Sequence, residues 1–377
     1  MSAREAREPM EVSGGIVNAN ANAHADADVH VHANRKSALI AMSGGVDSAV
    51  AALLMQRDGF DCAGALMKLH HNVADGEPDA KTACDRLHIS LYTFDFAQTF
   101  TEHVIKPFVT AYREGRTPNP CVDCNRQLKF GRLLEATREL GRDCLATGHY
   151  ARLEHAPGGR FLLLRGSDAS KDQSYVLYTL TQERLDHLRF PLGTLTKRQV
   201  RELAASAALS NAQKHDSQDI CFIPDGDYTG FIAQNTDEPF RKGRFIDIDG
   251  NDLGEHRGIA HYTIGQRRGL GLAMPYPPYV LDIRPGKNTV VVGRDEQLYS
   301  RTLFAYDINL IPVDKLDEPI KATVKIRYRH DAQPATVRQV GEDLLRIDFD
   351  EPQRAITKGQ AAVIYDGDVV IGGGTIG

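Results

Sequence analysis

The chain has 377 residues, 42% apolar and 25% charged, a balance that suits soluble globular protein in two or three domains. Lysine and arginine number 45 against 50 acids, a formal charge of −5, so a uniformly basic nucleic-acid coat is excluded while a local basic face is not. No run approaches about 18 uninterrupted apolar residues, no secretory apolar core opens the chain, and six cysteines in this length suggest a reducing compartment rather than a disulfide framework.

Residues 1–36 contain the low-complexity run NANANAHADADVHVHAN, with almost nothing large to bury. They read as a disordered, solvated tail; metal binding by its histidines and acids is the lesser reading. From Ser37 the pattern changes. SALIAM reads as a buried strand, and AVAALLMQRDGF as a helix closed near Gly59. CAGALMKL and SLYTFDF read as further strands, DAKTACDRLHI and EHVIKPFVTAYREG as helices. A helical pattern follows Asn125, CLATGHYARL returns as a strand, and QERLDHL and KRQVRELAASAAL are helical. This alternation predicts a parallel sheet covered by helices on both faces, over residues 37–215. Residues 216–295 are short segments dense in Gly and Pro and read as a small central domain. From 296 to 377 the pattern is strands with Gly, Asp and Pro turns, which predicts a small antiparallel β-barrel or sandwich.

Ser43-Gly44-Gly45-Val46-Asp47-Ser48 lies between the first strand and the first helix. Two glycines admit backbone conformations closed to other residues, so successive amides can form an anion nest at a helix N-terminus. Ser43 and Ser48 can donate to phosphate oxygens. Asp47 beside a phosphate makes sense if it holds a cation, with Mg²⁺ the candidate, or orients the loop. Without Gly-Lys-Ser/Thr this is not a Walker-type loop.

Cys121 and Cys124 sit in TPNPCVDCNRQLKF, held extended by two prolines, with Asn125 as the expected helix cap. A thiol just ahead of a helix N-terminus, near Arg126 and Lys129, should favour its thiolate. Cys221 lies in a second loop, DSQDICFIP, whereas Cys62, Cys84 and Cys144 fall in apolar surroundings and read as core. A zinc half-site or a dithiol redox motif would leave the phosphate loop unexplained. In VKIRYRH, strand alternation puts Val324, Ile326 and Tyr328 on one face and Lys325, Arg327 and Arg329 on the other, a basic row suited to an RNA backbone. Tyr328 could instead stack on a base.

SGGVDS resembles the loop of ATP pyrophosphatases (the PP-loop family). Joined in order with TPNPCVDCN, ATGHYAR, KDQSYVLY, DSQDICFIP, GEHRG, HYTIGQRRGLG and VKIRYR, it resembles the tRNA-specific 2-thiouridylases from about Ser37 to the C-terminus. That resemblance implies thiolation of the wobble uridine of lysine, glutamate and glutamine tRNAs. ATP adenylates the C2 oxygen, and sulfur arrives from a persulfide relay protein or cysteine desulfurase. It further implies a cytoplasmic, monomeric enzyme with Cys124 as nucleophile, Cys221 as persulfide carrier and a transient Cys124–Cys221 disulfide. The ATP positions would be Ala41 (where the family usually has Gly), Met42, Ser43, Gly44, Gly45, Val46, Asp47, Ser48, Met67 and Gly148. Asn119, Pro120 and Cys121 would meet the target base. His149, Lys171, Asp172, Gln173, Arg327, Tyr328 and Gln360 would serve tRNA. Better-known members carry Asp where this chain has Cys121. Three soft ligands at Cys121, Cys124 and Cys221 leave open a [4Fe–4S] cluster as sulfur carrier. An amide-forming ATP pyrophosphatase and a non-catalytic tRNA-binding protein are the remoter alternatives.

Overall fold

A computed structural model of the protein describes residues 35–70, 76–209 and 220–377, with the backbone of the two-residue strand Ile16–Val17. The expected tail lies almost wholly outside the described residues; Ile16–Val17 pairs antiparallel with Leu91–Asp95.

The first body is built on five parallel strands in the order Leu91–Asp95, Asp61–Lys68, Ser37–Ala41, Cys144–Ala146 and Leu188–Arg189. Strand Ser37–Ala41 is central, and its Ala38, Leu39 and Ile40 are fully buried. Leu39 enters one apolar cluster while Ala38 and Ile40 enter another, as successive strand residues must when both faces are covered. Strand order reverses between Ser37–Ala41 and Cys144–Ala146. Ligands of open α/β sheets bind in the crevice at the carboxyl ends of such a pair, and here residues 42–45 and 147–149 occupy it.

CLATGHYARL, expected as one strand, is two. Cys144–Ala146 stays in the parallel sheet, and Ala151–His155 forms a hairpin with Phe161–Arg165. The break falls where Gly148 packs against the backbone of Asp47 and Ser48, too closely for a side chain. Helix Lys197–Ser206 opens with a complete Thr196/Gln199 capping box and packs on Val46–Arg57.

The central sheet orders Asp252–His256, Gly243–Ile246, Thr289–Gly293 and Tyr279–Arg284 around Phe245, Tyr262, Val280 and Val290. In the last body, Tyr299–Leu310, Leu344–Arg354, Gln333–Gly341, Ile320–Lys325, Ala361–Asp366 and Val369–Ile376 form an antiparallel barrel, closed by pairing of the first with the last. Val324, Val337, Leu345 and Ile347 fill it. Ala361, Val363, Tyr365 and Val370 instead join Tyr175 and Leu163 in the larger apolar cluster of the first body, so an apolar face docks the barrel on it. Tyr175 donates its hydroxyl to the Ala361 carbonyl (2.8 Å), and Asn309 donates to the carbonyls of Tyr178 (2.7 Å) and Leu180 (2.9 Å).

The expected strand over 320–329 ends at Lys325, and residues 326–330 turn away. Val324 and Ile326 are both buried, but Tyr328 is not on their face. The anticipated basic row is therefore a strand end followed by a turn.

Candidate active site

Strand Ser37–Ala41 runs into Met42, whose amide donates to the Ala65 carbonyl (2.8 Å), and the chain turns over 43–45 into helix Val46–Arg57. Gly44 is left-handed (φ +74°), and a Cβ there would lie 2.5 Å from the Gly76 carbonyl oxygen. Gly45 is extended (φ −86°, ψ 163°) as the helix N-cap, so the need for glycine conformation rests on Gly44 alone. The serines separate. Ser43 is exposed at the mouth of the loop. Ser48 is buried and braces the turn, donating to the Gly45 carbonyl (2.9 Å) and accepting from the Ser43 amide (3.3 Å). Ala41 and Met67, at the ends of adjacent strands, are partly buried against the core.

Asp47 holds a cation, but the cation is a protein side chain. The Lys197 ammonium lies 2.8 Å from both carboxylate oxygens, and the Tyr150 hydroxyl donates to Oδ1 at 2.8 Å. The Lys197 side chain is only 10% exposed. Both Asp47 oxygens thus have partners within the protein, which hold the carboxylate at the start of the helix. Sequence reading missed Lys197 and Tyr150. The available signal was Lys197 at the first position of a capped helix, where the helix dipole disfavours a cation.

His149 is buried, its Nδ1 is 2.8 Å from Thr147 Oγ1, and its ring lies against Phe130 and Phe190. Burial, aided by the Lys129 charge, holds the imidazole well below 6.5, so it is neutral at physiological pH. It sits behind the surface rather than on it.

The cysteine helix begins earlier than expected. Asn119 is the cap, its side chain accepting from the Cys121 amide (3.2 Å), and Pro120 is the first helical residue. Asn125 lies inside the helix, donating to the Val176 carbonyl (3.1 Å). Cys124 is thus within the helix, opening the π-helical stretch Cys124–Arg132, rather than ahead of its N-terminus. The expected thiolate preference is reversed: burial pushes Cys124 up to about 12, with Lys129 opposing. Cys121 and Cys221 are exposed at their edges, yet desolvation raises both, again against Lys129. Burial likewise lifts Asp123 to about 6. Arg126, the other cation expected here, is tied to both oxygens of Asp307 on the barrel, whereas Lys129 makes no ion pair among the described residues.

Cys221 sits in the turn 220–223, anchored by fully buried Phe222 against Phe100 and Phe108. Cys124 lies within electrostatic reach of Cys221 and Cys121. All six cysteines are free, and Cys62, Cys84 and Cys144 are buried core as expected. Among the described residues no group of three His, Cys, Asp or Glu side chains is placed to hold a metal ion.

The expected RNA positions converge on the same region. Tyr328, 39% exposed, donates to the Asp172 carbonyl (3.3 Å) and senses the Cys121 charge. The Asp172 side chain accepts from Gly166 and Ser174 amides, and Gln173 accepts from the Tyr150 amide, so both organise a loop. Lys171 begins this stretch, its amide bonded to the Asp168 carbonyl (2.9 Å). Arg327 is half-buried and donates to the Arg354 carbonyl (3.1 Å). Gln360 donates to the carbonyls of Thr117 (2.8 Å) and Pro118 (3.2 Å), clamping the barrel to the loop that leads into Asn119 and the cysteines.

Comparison with known proteins gives three consecutive family matches: a tRNA methyl transferase HUP domain over residues 36–225, a tRNA methyl transferase PRC-barrel domain over 230–294, and an aminomethyltransferase beta-barrel domain over 300–376. The tRNA-specific 2-thiouridylase MnmA of Clostridioides difficile is 45% identical over 353 residues, covering 90% of this chain and 98% of that protein. Its counterpart in Carboxydothermus hydrogenoformans is 46% identical over 356 residues, covering 91% and 98%. The chain belongs to the tRNA-specific 2-thiouridylase family. The alignments to these 2-thiouridylases extend over nearly their full length, so all three bodies of the fold are family property.

Proposed function

We propose that the chain is an ATP-dependent tRNA-uridine 2-sulfurtransferase acting on the wobble uridine of lysine, glutamate and glutamine tRNAs. ATP on the 43–48 loop adenylates the C2 oxygen and releases pyrophosphate. The terminal sulfur of a Cys221 persulfide then displaces AMP from C2. Cys124 Sγ attacks Cys221 Sγ, the S–S bond breaks with its electron pair going to the sulfur left on the base, and a Cys124–Cys221 disulfide remains for an external thiol to reduce. The persulfide is supplied by a relay protein or cysteine desulfurase. Asn119, Pro120 and Cys121 face the flipped base, and residues 171–173, Arg327 and Tyr328 dock the RNA.

The observation that supports this reading is that Cys121 and Cys124, on the helix opening at Pro120, and Cys221, in the turn 220–223, lie within electrostatic reach of one another and of Tyr328 on the barrel. Lys129 acts on both Cys124 and His149, and His149 adjoins Gly148, which packs on Asp47; the thiol pocket thus borders the nucleotide loop. Two of the family descriptions speak of methyl transfer, which has no use for paired thiol loops. No helix among the described residues is long and apolar enough to cross a membrane, as suits an enzyme of the cytoplasm.

The test separates the half-reactions. Wild type should release pyrophosphate far faster with unmodified tRNA than without it. Cys221→Ser should keep that release and lose thiolation. Pyrophosphate release indifferent to tRNA, or thiolation surviving in Cys221→Ser, would defeat the reading.

A further inference from the structure

Both groups that hold Asp47 are themselves held by one loop. Tyr150 is 2% exposed, and its hydroxyl donates to Asp47 Oδ1 at 2.8 Å. Its backbone is clamped from both sides by Gln173: the Tyr150 amide donates to Gln173 Oε1 and the Gln173 amide to the Tyr150 carbonyl, each at 3.0 Å. Gly166 lies so close that a Cβ there would stand 2.7 Å from the Tyr150 carbonyl oxygen. Lys197, whose ammonium completes the Asp47 pair, donates its backbone amide to Asp168 Oδ2 (2.9 Å).

Residues 166–173 therefore grip Tyr150 at one end and Lys197 at the other. The same loop meets the barrel on its outer side, where Tyr328 donates to the Asp172 carbonyl. Asp172 fixes the loop's shape by accepting from the Gly166 and Ser174 amides. A continuous chain of hydrogen bonds, exposed at Tyr328 and part-buried further in, runs from the surface assigned to RNA to the carboxylate inside the phosphate loop. Coupling between sites travels through packed, hydrogen-bonded networks of this kind, and a small displacement of a reacting group costs rate steeply.

We propose that Tyr150 and Gln173 are positioning residues that make nucleotide turnover depend on RNA, by setting Asp47 and Lys197 when RNA docks against the 166–173 loop. The proposal rests on the reading that the chain consumes ATP on tRNA. Neither residue needs to touch nucleotide or base; Tyr150 acts through Asp47, and Gln173 through Tyr150.

The experiment uses the full chain and measures pyrophosphate release at saturating ATP, with and without saturating unmodified tRNA, for wild type, Tyr150→Phe, Gln173→Ala and the double variant. Tyr150→Phe keeps the ring and loses the donation to Asp47. Its ratio of tRNA-dependent to tRNA-independent release should fall about tenfold, as expected for one hydrogen bond to a charged group. Its affinity for tRNA should stay within about twofold of wild type, because the hydroxyl faces away from the RNA surface. Gln173→Ala should lower the ratio in the same direction, and the double variant should be no worse than the poorer single one. A purely structural role would lower both rates together and leave the ratio unmoved. An unchanged ratio in Tyr150→Phe, or additive losses in the double variant, would overturn the coupling while leaving the functional reading intact. If Tyr150→Phe melts early, Gln173→Ala decides: a lowered ratio at unchanged tRNA affinity supports the coupling, and an unchanged ratio, or one that falls only in step with tRNA affinity, overturns it. A wild-type chain that releases no pyrophosphate with any tRNA would defeat the functional reading, and the proposal with it.

Discussion

The resting state of Cys124 can be tested with pH and one substitution. A thiol at the ordinary 9.0 is about 3% ionised at pH 7.5, whereas one pushed to about 12 is about 0.003% ionised, roughly a thousandfold less. Burial is the largest cause, and Lys129 is the one charge that opposes it. Cys124 and Lys129 sit five residues apart in the stretch Cys124–Arg132, whose π-helical bonding joins residue i to i+5 and brings the two onto one face. Lys129→Met should therefore drive the thiol further up, and Lys129→Arg should hold it. The assay is iodoacetamide labelling of the free protein, quantified for the Cys124 peptide by mass spectrometry between about pH 7 and 10. Labelling should rise about tenfold per pH unit with no plateau in that range, since the thiolate is the nucleophile. In Lys129→Met it should be several-fold slower at every pH. A plateau below pH 9, or Lys129→Met labelling at the wild-type rate, would refute the reasoning.

Three further outcomes follow from the geometry. Lys197→Met leaves Asp47 with only Tyr150. With the carboxylate 30% exposed, the loss should be about 2 kcal/mol rather than the larger cost of a fully buried pair, and should appear as about thirtyfold slower tRNA-dependent pyrophosphate release; unchanged release would remove Lys197 from the site. Folding stability should hold between about pH 7 and 9 and fall as pH rises toward 12. Cys62, Cys84, Cys124 and Tyr178 keep their protons longer when folded than when unfolded, so their contribution is present below the unfolded values and lost through about 11 to 12. Urea midpoints that stay constant from pH 8 to 11 would contradict this. Tyr328→Ala should weaken tRNA binding several-fold without moving ATP affinity in filter-binding assays, because the ring is exposed beside Cys121 and is not built into the nucleotide loop; equal binding would return Tyr328 to the role of a domain tether.

The order of the three bodies was legible because their hydrophobic periods differ: near-continuous apolar strands such as 38–40, then short Gly-punctuated segments, then alternating strands closed by turns. The phosphate loop was legible because its residues are contiguous. Lys197 and Tyr150 were not, since the contact to Asp47 spans 150 and 103 positions and no local pattern announces it. Asn125 looked like the helix cap because Asn precedes an apolar run, but Asn119 ahead of Pro120 competes for the same role, and the proline's fixed φ wins. That six-residue shift moved Cys124 from a helix mouth to a buried turn and reversed the direction of its thiol. Alternation in VKIRYR continued on paper past Lys325 because sequence carries no trace of where pairing partners end; Lys325 is the last residue paired, opposite Val363. Gln360 was named only through the resemblance, and no local pattern announced that its amide donates to the carbonyls of Thr117 and Pro118.

The central claim is that this fold puts sulfur on a tRNA uridine at the expense of ATP. The most direct measurement is nucleoside mass spectrometry of unmodified lysine tRNA after incubation with the full chain, ATP, Mg²⁺ and a persulfide donor. The account predicts 2-thiouridine at the wobble position, absent without ATP and absent with Cys124→Ser or Cys221→Ser. Unmodified uridine after incubation with the wild-type chain, or 2-thiouridine formed equally well by either cysteine variant, would contradict it.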